Sequence, residues 1–183
     1  ALGRRSAEAL ADALADGGLR QLRELRCNYN ELDDGAAAAL ADALADGCAP
    51  NLERLWLGGN YIGDAGAAAL ARALRPGSRS ARSLGLLALY SNDVADEGAR
   101  ALVGALEERA AHNARTGPGA EHGRSPYEYA PGDRGGPLPP AKVLLFGHKI
   151  VDSELAHYVL SVPGVELEAV MSPPPSPQRH VRL

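Results

Sequence analysis

Apolar residues along the first 110 positions follow two rhythms that alternate. Short runs have every second residue apolar, as in L-R-C, L-W-L and L-A-L. Each is followed by an Ala- and Leu-rich stretch in which apolar positions recur every three or four residues. The first rhythm predicts short strands and the second predicts helices with one apolar stripe. The pair occurs three times: LRELRCNYNELDDGAAAALADAL at 22–44, LERLWLGGNYIGDAGAAALARAL at 52–74 and LGLLALYSNDVADEGARALVGAL at 84–106. Leu22, Leu25, Cys27, Asn30 and Leu32 recur as Leu52, Leu55, Leu57, Asn60 and Ile62, then as Leu84, Leu87, Leu89, Asn92 and Val94, at periods of 30 and 32 residues. In each copy the leucines of the predicted strand face a core. The asparagine sits where the chain turns off the strand, and its amide is placed to bond backbone groups that the turn leaves unpaired. Asp34, Asp64 and Asp96 then read as helix N-caps, with glycines at 35, 66 and 98, and the helices are expected to run to Leu44, Leu74 and Leu106. One such unit cannot bury its own apolar face, so the units must stack.

The pattern L-x-x-L-x-L/C-x-x-N-x-L at this period is the signature of a leucine-rich repeat. With D-x-G-A and LA-x-AL after the asparagine turn, it resembles the ribonuclease-inhibitor subclass, which also occurs in the sensor regions of NOD-like receptors and in Ran GTPase-activating proteins. The resemblance covers residues 1 to about 112 and, more weakly, 141–170. It implies an α/β leucine-rich-repeat solenoid, with a curved parallel sheet on the concave side and helices on the convex side.

The remaining segments divide the chain further. Residues 4–16 align with the helix of the next unit and lack a strand of their own, so 1–112 holds a partial first repeat and three full ones. Residues 113–140 are rich in Gly and Pro, without periodicity, and read as a loop or linker. In 141–170 the rhythm returns: Val143, Leu145, His148, Ile150 and Asp152 fall on the positions of Leu55, Leu57, Asn60, Ile62 and Asp64. This is expected to be a degenerate terminal repeat with its helix at 153–162 and a last strand at 165–170; a small unrelated βα unit is the alternative. The tail at 171–183, with SPPPSPQRHVRL, is expected to be polyproline II or flexible.

Outward strand positions vary between units and line the concave face. They bring together Trp56, Leu86, Tyr90, Leu144 and Phe146, beside a charged end containing Glu24, Arg26 and Arg54. Aromatic residues on an open sheet are common anchors of protein interfaces. The expected partner-binding set is therefore Trp56, Leu86, Tyr90, Leu144, Phe146, Arg54 and Arg26, although the charged end by itself also suits a solvated face. The 113–140 loop, with Tyr127 and Tyr129, could instead fold over the apolar cluster. Asn30, Asn60 and Asn92 are assigned structural roles in the turns.

Composition narrows the function. The net charge of −4 argues against nucleic acid as a partner. The two cysteines, Cys27 at a core position and Cys48 in a loop, form no disulfide framework. No apolar run is long enough to span a bilayer, and nothing at the N-terminus reads as a secretory signal. The expected setting is a reducing intracellular compartment, not the secretory route. The five histidines show no paired metal spacing, and no phosphate-binding glycine loop is present. The expectation is a non-enzymatic interaction module or structural subunit of a larger assembly, with protein partners and no cofactor, metal or small-molecule substrate. The alternative is a GTPase-activating or NOD-like-receptor-type regulatory or sensor protein.

Overall fold

The computed structural model describes residues 20–116 and 137–145, together with the helical positions Ala9, Asp12 and Ala13. Strands and helices alternate: β1 (Glu24–Arg26), α1 (Asp34–Ala45), β2 (Arg54–Trp56), α2 (Asp64–Leu74), β3 (Leu86–Ala88), α3 (Asp96–Thr116) and β4 (Lys142–Leu144), with a short 3-10 turn at Ser80–Arg82. The strands form one parallel sheet in the order β1-β2-β3-β4. Leu25, Leu55, Leu87 and Val143 are partners in register, so residues equivalent in sequence are neighbours in space. The helices form a second layer, α1 against α2 and α2 against α3.

The core explains why this periodicity folds this way. Each strand is only three residues long, yet Leu55, Leu87 and Val143 at the strand centres are fully buried. Leu40, Leu44, Leu70, Leu74, Leu102 and Leu106 meet them from the helices. Each buried leucine contributes roughly 1.5–3 kcal/mol by leaving water. Alanines 36, 37, 67, 71, 99 and 105 are buried as well, and their small side chains let adjacent helices approach closely.

The helix ends follow local chemistry. After α1 the amides of Gly47 and Cys48 donate to Leu44 O and Ala43 O, with Gly47 at φ +81°. This is the glycine-terminated double hydrogen bond that satisfies a helix's last carbonyls. α2 stops at Leu74 because Arg75 precedes Pro76 and is extended, at ψ 146°.

Two expectations need correction. Asp34 and Asp64 are the first residues of their helices, not caps: the cap positions are Asp33, whose side chain accepts from Ala36 N, and Gly63. Asp96 likewise opens α3. Moreover, α3 does not end at Leu106 but continues to Thr116, into the segment expected to be linker. The extra turns are held because Arg109 and Asn113 bind the returning chain at Pro139 and Leu138.

The strand of the expected fourth repeat is β4, where Val143 takes the place aligned with Leu55. Its expected turn and helix (His148, Ile150, Asp152, 153–162), the strand at 165–170, the tail, Phe146, Tyr127 and Tyr129 lie outside the described residues. So does most of the expected helix at 4–16.

Candidate interaction surface

Two side-chain ladders hold the strands in place, and they run in opposite directions. The asparagines reach back. Asn60 Nδ2 donates to Leu57 O in its own unit (2.8 Å) and to Cys27 O in the preceding one (3.0 Å). Its Oδ1 accepts from the amides of Asn30 and Leu32, at 3.1 and 3.2 Å. Asn92 repeats this, donating to Leu89 O and Leu57 O and accepting from Ile62 N at 3.0 Å. Asn30 donates to Cys27 O and Asn28 O.

The aspartates reach forward. Asp34 Oδ1 accepts from Gly63 N (2.6 Å) and Gly66 N (2.9 Å) at the start of α2. Asp64 Oδ1 accepts from Ala95 N (2.7 Å) and Gly98 N (2.9 Å) at the start of α3. Each aspartate thus caps the next unit's helix, satisfying orphan amides and meeting the positive end of that helix dipole. The receiving glycines are required by space: a Cβ on Gly66 would lie 2.6 Å from Asp34 Oδ1, and one on Gly98 2.7 Å from Asp64 Oδ1. Asp96 is the third of the set, and its buried Oδ1 has no hydrogen-bond partner among the described residues.

The outer sheet face carries three rows of side chains. Glu24 pairs with Arg54 and Leu86 along one row, Arg26 with Trp56, Ala88 and Leu144 along the next. At the corner, Glu24 Oε1 accepts from Arg26 Nε and from the Trp56 indole N–H, both at 2.8 Å. Arg54 lies 3.4 Å from the other oxygen. The Arg26 side-chain bond leads in holding the Glu24 carboxyl below its ordinary range, with Trp56 and the charges of both arginines adding to it and partial burial opposing it. Arg26 also stacks on the indole, 5.9 Å from the ring centroid. Trp56 is therefore half-buried and fixed in orientation, and Glu24, expected to be merely solvated, is the hub that fixes it.

The third row passes through Asn28, Gly58 and Tyr90. Asn28 Oδ1 accepts from Gly58 N at 2.8 Å. The Tyr90 ring rests where a Gly58 side chain would be, and the Tyr29 ring where a Gly59 side chain would be. Rings from the first and third units thus converge over the glycines of the second and meet edge to face, with centroids 6.3 Å apart. Burial, with the neighbouring Tyr29 phenol, pushes the Tyr90 hydroxyl above its ordinary range.

Of the residues expected to form an open cluster, Arg26 and Arg54 are exposed, Trp56, Leu86 and Tyr90 are half-buried, and Leu144 keeps only 8% of its surface. The outward Ala88 between them is fully buried. Among the described residues the most open large apolar side chains are two that sequence reasoning did not select, Tyr29 at 75% and Tyr61 at 63%. The available signal was alignment: Tyr29 stands where the other units have Gly59 and Ser91, and Tyr61 where they have Glu31 and Asp93.

Arg109 was also missed. It is 3% exposed, and its guanidinium donates to Leu74 O, Leu84 O and Pro139 O. Burial pushes its pKa down to about 10, which still leaves it charged at neutral pH. Cys27 is buried and free, its thiol pushed up by burial, as suits a core position and not a nucleophile. Among the described residues there is no cluster of side chains able to hold a metal ion and no helix long and apolar enough to cross a membrane.

Residues 48–71, which span β2 and most of α2, match the family described as Leucine Rich repeat. No curated protein matches the sequence. Among solved structures the chain is similar to leiomodin-1 actin-binding site 2, at 13% identity and a TM-score of 0.55, over 86% of this chain and 71% of that one. At that identity the likeness is one of fold. Phased repeats, a parallel sheet in matching register and the matched segment agree: the chain carries leucine-rich repeats.

Proposed function

We propose that this chain is a non-enzymatic protein-interaction module of the ribonuclease-inhibitor-like subclass, docking a protein partner on its outer sheet face. The observation that carries this reading is the corner at Trp56. An indole, the richest of interface side chains, is held by Glu24 and Arg26 before any partner arrives. Orienting it costs little further entropy on binding. Arg54 and Arg26 supply an exposed charged rim, and Leu86 and Tyr90 extend the apolar part. Strands spaced about 4.8 Å apart beside helices needing about 8–10 Å favour a curved array with this face inside. The solved neighbour is an actin-binding site, which supports protein as the class of partner and not actin itself. Free Cys27 and Cys48 fit a reducing compartment, and stacked units of this kind fit a place in a larger assembly.

The test is capture on the immobilised chain from an extract of its source, comparing wild type with Trp56→Arg/Tyr90→Asp and with a helix-side control, Arg100→Glu. The reading expects a stoichiometric partner retained by wild type and the control and lost by the double variant. The same proteins retained by all three would overturn it.

A further inference from the structure

The corner at Trp56 is rich in donors and poor in acceptors. Both oxygens of Glu24 are engaged: Oε1 accepts from Arg26 Nε and from the indole N–H, and Oε2 faces Arg54 at 3.4 Å. The indole has a single N–H, so Trp56 has nothing further to donate. Arg26 commits only Nε, and its two terminal nitrogens meet no acceptor among the described residues. Arg54 makes the ion pair with Glu24 and no hydrogen bond there. Asn28 spends its oxygen on Gly58 N, and its Nδ2 meets no acceptor among the described residues.

Charge follows the same pattern. The outward positions of the four strands hold Arg26, Arg54 and Lys142 against the single carboxylate of Glu24, a surplus of two on a chain whose net charge is −4. At the strand starts Arg23 and Glu53 pair at 2.9 Å and cancel. Glu31 and Asp93 come one residue after Asn30 and Asn92, beyond the strands. Arg26 is opposite Trp56 and Glu24 opposite Arg54, so the arginines occupy one diagonal of a square, their Cα atoms about 8 Å apart. Fixing Trp56 uses Glu24 Oε1 and Arg26 Nε and leaves Arg54 over. The arginine side chains are 70% and 50% exposed, and their planar forks suit a carboxylate.

We propose that the segment docking here is acidic: a stretch of a protein partner whose carboxylate lies between Arg26 and Arg54 while a neighbouring apolar side chain packs on Trp56 and Leu86. This partner class rests on the sheet-face reading above and adds to it a chemistry and a direction. Leu86 follows Arg54 along its row, so the acidic end lies over β1 and β2 and the apolar end toward β3. A basic segment would meet two exposed guanidinium groups with no carboxylate to spare for it. Nucleic acid suits the corner less well, because Glu24 stands among the donors and the chain as a whole is acidic.

The experiment selects a phage-displayed library of random linear peptides on the immobilised full chain. Each enriched peptide is then dye-labelled and compared, by fluorescence anisotropy, with its counterpart in which Glu and Asp are replaced by Gln and Asn. The enriched peptides should carry net negative charge with an apolar residue beside a carboxylate. Wild type should prefer the acidic form at least about tenfold at low salt, less at about 0.5 M NaCl. The preference should shrink below about twofold on Arg26→Gln/Arg54→Gln and persist on Arg72→Gln/Arg75→Gln, which removes two charges from the helix side. A Trp56 merely loosened by the first variant would weaken both forms alike and leave the preference intact, and unchanged melting confirms the fold. Neutral or basic peptides that shift Trp56 emission would overturn the acidic partner and leave docking at Trp56 standing. Acidic peptides whose affinity survives Trp56→Arg/Tyr90→Asp would overturn both. A preference unchanged in Arg26→Gln/Arg54→Gln, equal displacement by a single-stranded oligonucleotide, or a library yielding no binder would also overturn it.

Discussion

Replacing Asp34, Asp64 and Asp96 one at a time by alanine should give three unequal results, although the three residues are equivalent in sequence. Asp64 Oδ1 holds two amides of the next helix at 2.7 and 2.9 Å, and Asp34 does the same at 2.6 and 2.9 Å. Losing an N-terminal cap costs about 0.5–2 kcal/mol, and losing the charge at the helix dipole about 0.3–1 more. Asp34→Ala and Asp64→Ala should therefore each cost about 1–3 kcal/mol. Asp96 Oδ1 has no partner among the described residues, so Asp96→Ala should cost less than about 0.5 kcal/mol. Urea unfolding followed by circular dichroism at 222 nm resolves these differences as midpoint shifts at constant slope. The glycines provide a cross-check. Gly→Ala inside a helix ordinarily gains up to about 1 kcal/mol. Gly66→Ala should instead cost about 1–2 kcal/mol, because the new methyl meets Asp34 Oδ1 at 2.6 Å and Ile62 Cγ2 at 2.8 Å. Much of that cost should disappear in an Asp34→Ala background. If Asp34→Ala and Asp64→Ala each cost less than about 0.5 kcal/mol, capping of each helix by the preceding unit is refuted.

Acidification should release Trp56. The Glu24 carboxyl titrates below its ordinary value of 4.5, so its contribution is present above that pH and is lost as pH falls through the lowered value. The emission of the single tryptophan should change with a midpoint below 4.5, and Glu24→Gln should abolish that step; an unchanged titration in the variant would count against the Glu24 hub. Arg109→Met should loosen the return strand selectively. Without its bonds to Pro139 O, hydrogen exchange at Lys142 N and Leu89 N, which pair β3 with the β4 region, should quicken at least about tenfold while the β1–β2 amides change little. Uniform quickening across the sheet would show that Arg109 supports the whole fold and not this junction.

The fold was largely legible because the core asks the same thing of every unit. Leu55, Leu87 and Val143 occupy identical places, so their recurrence in sequence translates directly into strand register. The aspartates show where such reading fails. Their regular spacing was visible, but sequence proximity suggested that each caps its own helix, whereas its partners lie about thirty residues onward. The clue was the glycines. Gly66 and Gly98 follow units that contain Asp34 and Asp64, whereas Ala36 follows a segment with Arg4 at the equivalent position, where no carboxylate needs room. Trp56 was recognisable as an outward aromatic residue, yet its half-burial depends on Glu24 and Arg26 of the neighbouring strand, a pairing that only the register reveals. Tyr29 escaped notice although its alignment with Gly59 marked a left-handed turn, because attention went to the outward strand positions. Arg109, following Glu107 and Glu108 just past the expected helix end, had the look of a solvated charge.

The central claim is that the corner at Trp56 receives a protein partner, and the single tryptophan makes that directly measurable. Titrating the purified partner into the full chain while recording Trp56 emission and iodide quenching tests it at the residue itself, with a partner free of tryptophan or labelled to silence its own. The account predicts a blue shift and loss of quenching that saturate together with complex formation seen by light scattering, as the indole leaves water. A complex that forms while Trp56 emission and quenching stay unchanged would contradict it.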